Sequence, residues 1–203
     1  MAQAIKLSED YRDCLQEVSN VAMGRAADLL ARLLDVYVIL PIPNVNLIEI
    51  SELHMALSSL EDTQSVSAVC QGFIGSNIAG EALLIFNDTS FSDIAELTHF
   101  KGLIDKNIEL ELLMDIANIL IGACLQGVSE QLDVKFSQGQ PVVLGQHIKV
   151  PELIDSAKKR WKQTLAIEIN YTIENRNINC DLLLLFTEDS LSVLNDKIDY
   201  LME

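Results

Sequence analysis

The 203-residue sequence is poor in positive charge: 14 Lys and Arg face 30 Asp and Glu, for a formal net charge of −16. Such a chain repels a nucleic-acid backbone or an anionic bilayer, so neither is expected as a partner, and partners with basic faces are favoured. Long hydrophobic runs are missing too. The strongest, such as Leu182 to Phe186, falls far short of the roughly 18–20 residues needed to cross a membrane. Met1 to Asp10 has neither the basic start nor the apolar stretch of a secretory signal, so a cytoplasmic protein is expected.

Cysteine and histidine are sparse and scattered. Cys14, Cys70, Cys124 and Cys180 form no Cys-x-x-Cys pair, and His54, His99 and His147 show no metal-ligand spacing. Buried thiols and structural histidines are expected, with no metal held by the chain itself. There is no Gly-rich phosphate loop and no Gly-x-Ser-x-Gly turn, so nucleophilic catalysis has no visible anchor. With 49% hydrophobic and 22% charged residues, the chain carries enough apolar surface to fold rather than remain disordered.

What the sequence does have is a repeat. Glu81-Ala-Leu-Leu-Ile-Phe-Asn-Asp-Thr-Ser-Phe-Ser-Asp-Ile94 returns as Asp181-Leu-Leu-Leu-Leu-Phe-Thr-Glu-Asp-Ser-Leu-Ser-Val-Leu194, in both cases a buried strand, an acidic turn and a capped helix. Upstream, amphipathic stretches from Ser8 to Leu34 and from Asn107 to Leu132 run into β-branched segments, Val36 to Leu40 and Val134 to Phe136. The expected strands are Val36 to Leu40, Val45 to Ile50, Val66 to Ile74 and Ala79 to Phe86, then Val142 to Leu144, Leu165 to Thr172 and Ile178 to Phe186. Short turns at Gly75–Asn77 and Glu174–Asn177 imply antiparallel hairpins. The expectation is therefore an α+β domain over 1–203, built from repeats of about 8–100 and 106–203. Its mainly antiparallel sheet, of ten to a dozen short strands, is covered by two long pseudo-symmetric helices.

Helical spacing puts Leu15, Val18, Ala22, Ala26, Leu29 and Leu33 on the core stripe of the first helix, and Leu113, Ile116, Leu120 and Cys124 on that of the second. Opposite the first stripe lie Asp13, Glu17, Asn20 and Gly24; opposite the second lie Glu111, Asp115, Asn118 and Gly122, each 98 residues after its counterpart. A carboxamide offers a donor and an acceptor that can hold a water in fixed orientation, and a carboxylate one turn away can pair with a partner's lysine. A glycine one turn further on lets another backbone approach closely. One such residue on a solvated face means little; the repeat at constant spacing is what marks these.

Asp13-x-x-x-Glu17-x-x-Asn20 followed after twenty-two residues by Pro43, and Glu111-x-x-x-Asp115-x-x-Asn118 followed after twenty-two by Pro141, resemble the signature of the CheC/CheX/FliY family of chemotaxis phosphatases. The resemblance implies hydrolysis of the aspartyl phosphate of a CheY-like response regulator, by insertion of a helix face into the regulator's own active site. The regulator would bring the phosphoryl group and a Mg²⁺, and this chain would need no cofactor. By the same resemblance Asn20 and Asn118 would orient the attacking water, and Glu17 and Asp115 would meet the regulator's lysine. Asp13, Gly24, Glu111 and Gly122 would complete the docking face, and Pro43 and Pro141 would set the pose of each helix.

Motifs on both helices resemble the two-site CheC arrangement. The second half departs from the pattern: Asp115 stands where Glu is expected, a reach shorter by on the order of 1.5 Å, and Glu111 stands where Asp or Ser is usual. The first site is therefore expected to be the stronger, unless the longer Glu111 takes over the pairing with the regulator's lysine. Two other readings stay open: a non-catalytic regulator-binding module resembling the flagellar switch proteins, and a modulator that binds the receptor deamidase CheD. A basic cluster, Lys158-Lys-Arg-Trp-Lys162, where the first half has Glu61-Asp62, reads as a solvated helix end or as a patch steering an acidic partner to one site.

Overall fold

The computed structural model of the protein describes residues 7–49, 65–150, 152–153, 163–176 and 178–202. The elements run α1 (Glu9–Leu34), β1 (Val38–Ile39), β2 (Asn44–Glu49), β3 (Ser65–Gly75), β4 (Ile78–Asn87), α2 (Phe91–Leu97), α3 (Lys106–Gln131), β5 (Ser137–Gln138), β6 (Val142–Lys149), β7 (Gln163–Ile173), β8 (Asn179–Phe186) and α4 (Leu191–Met202). A 3₁₀ turn precedes α2 (Asp88–Ser90) and another precedes α4 (Glu188–Ser190).

The long helices begin and end where local chemistry dictates. Ser8 caps α1 by accepting from the Tyr11 amide at 3.3 Å, and Asp105 caps α3 by accepting from the Asn107 and Ile108 amides at 2.9 and 3.0 Å. After each helix an aspartate turns left-handed, Asp35 at φ 52° and Asp133 at φ 48°. The next amide then returns to the helix, Val36 to the Ala31 carbonyl at 3.1 Å and Val134 to that of Ser129 at 2.9 Å. The β3–β4 hairpin closes through Ser76 and Asn77, both with positive φ (52° and 62°), the conformation a two-residue turn needs to match strand twist.

The architecture is α+β, and every strand pair among the described residues is antiparallel, in the order β1-β7-β8-β4-β3-β5 with β2 also on β7 and β6 also on β3. The two halves exchange strands: β2 of the first half pairs with β7 of the second, and β6 of the second pairs with β3 of the first. At the centre Leu83 of β4 faces Leu183 of β8, its own counterpart in the repeat. Away from that point the pairs are mirrored, Gly80 with Phe186 and Phe86 with Cys180, Val45 with Ile167 and Val69 with Val143. A local dyad therefore passes through the Leu83–Leu183 pair.

All four helices contribute to one core on one face of the sheet, where Leu15, Met23, Leu30, Leu113, Leu120, Leu125, Phe91 and Leu194 meet Phe86, Leu84, Leu182, Leu184 and Phe186. A second cluster, including Val66, Ala68, Leu83, Ile85, Ala166, Leu183 and Leu185, lies on the other face with Val150 and Leu153. Burial on both faces explains why β8 reads as an unbroken apolar run rather than an alternation.

Several expectations are corrected. Leu29 and Leu33 are about half exposed, at 50% and 52%, while Leu30 and Leu34 are buried. Beyond Ala26 the buried stripe follows four-residue steps, because a straight helix drifts around its axis relative to a mixed three-and-four pattern. Eight strands, not ten to a dozen, occur among the described residues, because the apolar runs form single strands of up to 11 residues. Val134 to Phe136 stays outside the sheet and Ser137–Gln138 pairs instead, since the left-handed Asp133 delays the return to extended backbone. Cys124 and Cys180 are buried as expected, but Cys14 and Cys70 are only half-buried. The Lys158–Lys162 cluster, Glu61-Asp62 and His54 lie outside the described residues.

Where α1 and α3 meet, the backbones are close: a Cβ added at Gly127 would lie 2.6 Å from Ala22 Cα and 2.8 Å from its Cβ. Replacing Gly127 by Leu should cost about 1–3 kcal/mol through overpacking, read as a lower midpoint of urea unfolding. An unchanged midpoint would show that the helices separate freely.

Candidate functional site

The eight motif residues fall on the solvent sides of α1 and α3. Asp13, Glu17 and Asn20 are exposed on α1, and Glu111, Asp115 and Asn118 are exposed on α3, with Gly24 and Gly122 half-buried one turn on. Behind them the helices are fixed by Leu15, Val18, Ser19, Ala22 and Met23 and by Leu113, Ile116, Ala117, Leu120 and Ile121. Ser19, next to Asn20, turns inward and donates to the Leu15 carbonyl at 2.6 Å.

None of the six polar motif side chains makes a hydrogen bond or ion pair with the described residues. Their neighbours behave differently: Arg25 pairs with Glu130, Arg32 with Asp28 at 2.9 Å, and Gln126 donates to Glu130 at 3.1 Å. Asn20 and Asn118 thus keep both donor and acceptor free for a ligand or water. The structure brings Asp13, Glu17 and Asn20 together on one helix, and Glu111, Asp115 and Asn118 on the other. Beside the second set a groove lined by Gly122, Leu125, Gln126, Ser129, Phe136 and Gln138 runs along α3.

Other chemistry is weaker. Burial pushes the Cys124 thiol up to about 12 and raises that of Cys180 further, so both stay protonated and neither is an activated nucleophile. No group of three or more His, Cys, Asp or Glu side chains among the described residues is placed to hold a metal ion.

The supports of the motif helices were not visible in the sequence. Gln16, beside Glu17, donates to the carbonyl of the buried Pro43 at 3.0 Å, so the proline of the motif is tied directly to α1. Its counterpart in the second half is Met114, which has no such donor, and Pro141 is only half-buried. Tyr11 also anchors α1, through its hydroxyl to Asp199 on α4. On α3 the equivalent of Tyr11 is Glu109, bonded to His147 and to Gln146 of β6. The signal that could have found these residues was disagreement between the repeats at matching positions, Gln16 against Met114 and Tyr11 against Glu109.

No family model matches the sequence. The fold, by contrast, is similar to that of several solved structures over 84–97% of the chain. The crystal structure of Thermotoga maritima FliY matches with a TM-score of 0.67 at 17% identity, over 97% of this chain and 99% of that one. The FliM middle domain from H. pylori matches with a TM-score of 0.61 at 12% identity, over 94% and 99%. The chemotaxis protein CheX from Desulfovibrio desulfuricans matches with a TM-score of 0.56 at 13% identity, over 84% and 99%. The architecture is the one found in FliY, CheX and the FliM middle domain. No helix among the described residues is long and apolar enough to cross a membrane.

Because a Cβ at Gly24 or Gly122 would meet nothing within 4 Å, Gly24→Ala and Gly122→Ala should each raise stability by roughly 0.5–1 kcal/mol through helix propensity. Chemical denaturation of the two variants checks this; a loss of stability would mean that these positions carry a structural constraint.

Proposed function

We propose that the chain is a phosphatase of the chemotaxis type, hydrolysing the aspartyl phosphate of a CheY-like response regulator. The observation that carries this reading is the pair of Asn residues, each three positions after a carboxylate, on two exposed and otherwise unengaged helix faces of a CheX- and FliY-like fold. The net charge of −16 fits a partner with a basic contact region.

In this mechanism α1 docks against the regulator so that Glu17 pairs with the regulator's active-site lysine. The Asn20 carboxamide accepts from and donates to one water, holding it in line with the phosphorus–oxygen bond of the acyl phosphate. The water oxygen attacks phosphorus, the bond to the regulator's aspartyl oxygen breaks, and the products are a free carboxylate and inorganic phosphate. Phosphoryl transfer of this kind depends on positioning and charge neutralisation more than on covalent help. A Mg²⁺ of the regulator supplies the neutralisation, so the chain contributes geometry. Asp115 and Asn118 form a second site of the same kind, weaker because the shorter carboxylate holds the regulator less well in line. Asp13, Glu111 and the half-buried Gly24 and Gly122 shape the surfaces on which the regulator settles.

A second reading is favoured by the likeness to the FliM middle domain: the same face would bind the regulator without hydrolysis. The two readings separate at the asparagines. A carboxamide that positions the attacking water contributes about 3 kcal/mol to the transition state, on the order of a hundredfold in rate, whereas loss of one peripheral amide from a binding face changes affinity far less.

Dephosphorylation of a phosphorylated CheY-like regulator is the measurement. Asn20→Ala should remove most of the stimulated rate, Asn118→Ala less, and the double variant nearly all of it with thermal stability unchanged. In the Asn20→Ala background, Asp115→Glu should raise the remaining rate. Regulator binding without any acceleration of phosphate release would favour the binding module, and a double variant with an undiminished rate would remove the asparagines from the mechanism.

A further inference from the structure

The first turns of α1 and α3 occupy equivalent places in the fold but are held by different chemistry. At the start of α3, His147 sits between two carboxylates: its Nδ1 is 2.9 Å from Asp88 Oδ2 and its Nε2 is 2.7 Å from Glu109 Oε2. Gln146 adds bonds to the same Glu109 oxygen at 3.2 Å and to the Lys106 carbonyl at 3.0 Å. Asp88 is itself fixed, since the hydroxyl of the buried Ser67 donates to its Oδ1 at 2.7 Å. His147 takes a left-handed backbone, φ 56°, where the β3–β6 pairing shifts register between Val66 and Val69. A residue other than glycine held there by its surroundings is strained; here the bulge turns the imidazole toward α3.

Both ring nitrogens are therefore committed to carboxylates. An imidazolium donates to both at once, whereas a neutral imidazole has one N–H and leaves its other nitrogen, a lone pair, facing an anion. The ring also meets Phe91 of α2, with centroids 6.2 Å apart, and the Ser67 hydroxyl of β3 accepts from the His147 backbone amide at 3.3 Å. Lys106 contributes only its carbonyl, to Gln146, and Lys149 lies two residues further along β6. In the first half the same duty falls to the Tyr11–Asp199 bond and the Gln16–Pro43 bond.

We propose that His147 is a positioning residue that makes the second motif helix, and not the first, responsive to pH: its protonated ring clamps the first turn of α3 to the sheet, and its deprotonation releases that turn. Partial burial pulls the ring's pKa down, but its hydrogen bonds to Asp88 and Glu109 and their negative charges outweigh it, so the value is raised above 6.5. For a raised histidine the contribution is complete below the unfolded pKa of 6.5 and is lost as pH climbs through the folded value. On α1, the bond to Asp199 pushes the Tyr11 phenol up to about 12, so that anchor keeps its proton over the same range.

Hydrogen exchange of the full chain, read by mass spectrometry and corrected for intrinsic rates, tests the clamp with α1 as internal control. From pH 6 to pH 9 the protection of amides 109–113 should fall about tenfold while that of amides 12–16 holds, and His147→Gln should erase the pH dependence at α3. Equal responses in both helices, or an unchanged response in His147→Gln, would overturn the proposal. The link to catalysis rests on the phosphatase reading: with Asn20→Ala, where only the second site works, the rate should fall with rising pH relative to Asn118→Ala. Matching pH profiles for those two variants would break that link. A pH-dependent α3 in a protein that dephosphorylates no regulator would keep the clamp and remove the phosphatase.

Discussion

The antiparallel pairing of β4 with β8 holds the molecule together, and the rest of the fold is arranged around it. Leu83 faces Leu183, and from that point each half extends outward in the same sequence of neighbours. Because β2 completes the sheet beside β7 and β6 completes it beside β3, neither half has a full set of pairing partners of its own. Backbone groups left without partners are costly to bury, so the exchange of strands makes the two halves one cooperative unit. The same geometry places both long helices on one face and leaves their outer sides to solvent.

Duplication sets the two motif faces alike, while the surroundings set them apart. The left-handed aspartates after the long helices, Asp35 and Asp133, and the buried Ser90 and Ser190 match between halves. Ser90 accepts from the Asn179 amide at 3.4 Å and Ser190 from the Ala79 amide at 2.8 Å. The supports beneath the motifs do not match: a glutamine on a proline carbonyl and a tyrosine on an aspartate steady α1, and a histidine between two acids steadies α3. Asp115 in place of a glutamate is a further difference. An internal repeat of this kind keeps the scaffold common and lets each helix face be adjusted separately.

Much of this was legible in the sequence because a repeated pattern reports on structure directly. The helix limits, the hairpins and the exposure of Asp13, Glu17, Asn20, Glu111, Asp115 and Asn118 follow from periodicity and capping residues. Leu29 and Leu33 differ from the expectation because a mixed three-and-four spacing does not say which way the buried stripe drifts, and here it passes through Leu30 and Leu34. The Gln16–Pro43, Tyr11–Asp199 and His147–Glu109 contacts were invisible because each joins residues far apart in the chain. His147 in particular looked like an isolated structural histidine, and its two acidic neighbours arrive from a 3₁₀ turn and a helix end that only the folded sheet brings together.

The exchanged strands also bear on how the chain comes into being. On the ribosome Val45 emerges long before Ile167, the residue it faces across β2 and β7. At about 5–20 residues per second the wait is on the order of ten seconds. Through that interval the first repeat carries one apolar helix stripe and an edge of unpaired strand with nothing to cover them. Newly made chain is therefore most vulnerable to aggregation, and most in need of chaperone shelter, until β7 has emerged, and truncation anywhere ahead of β7 leaves a product that cannot close its sheet.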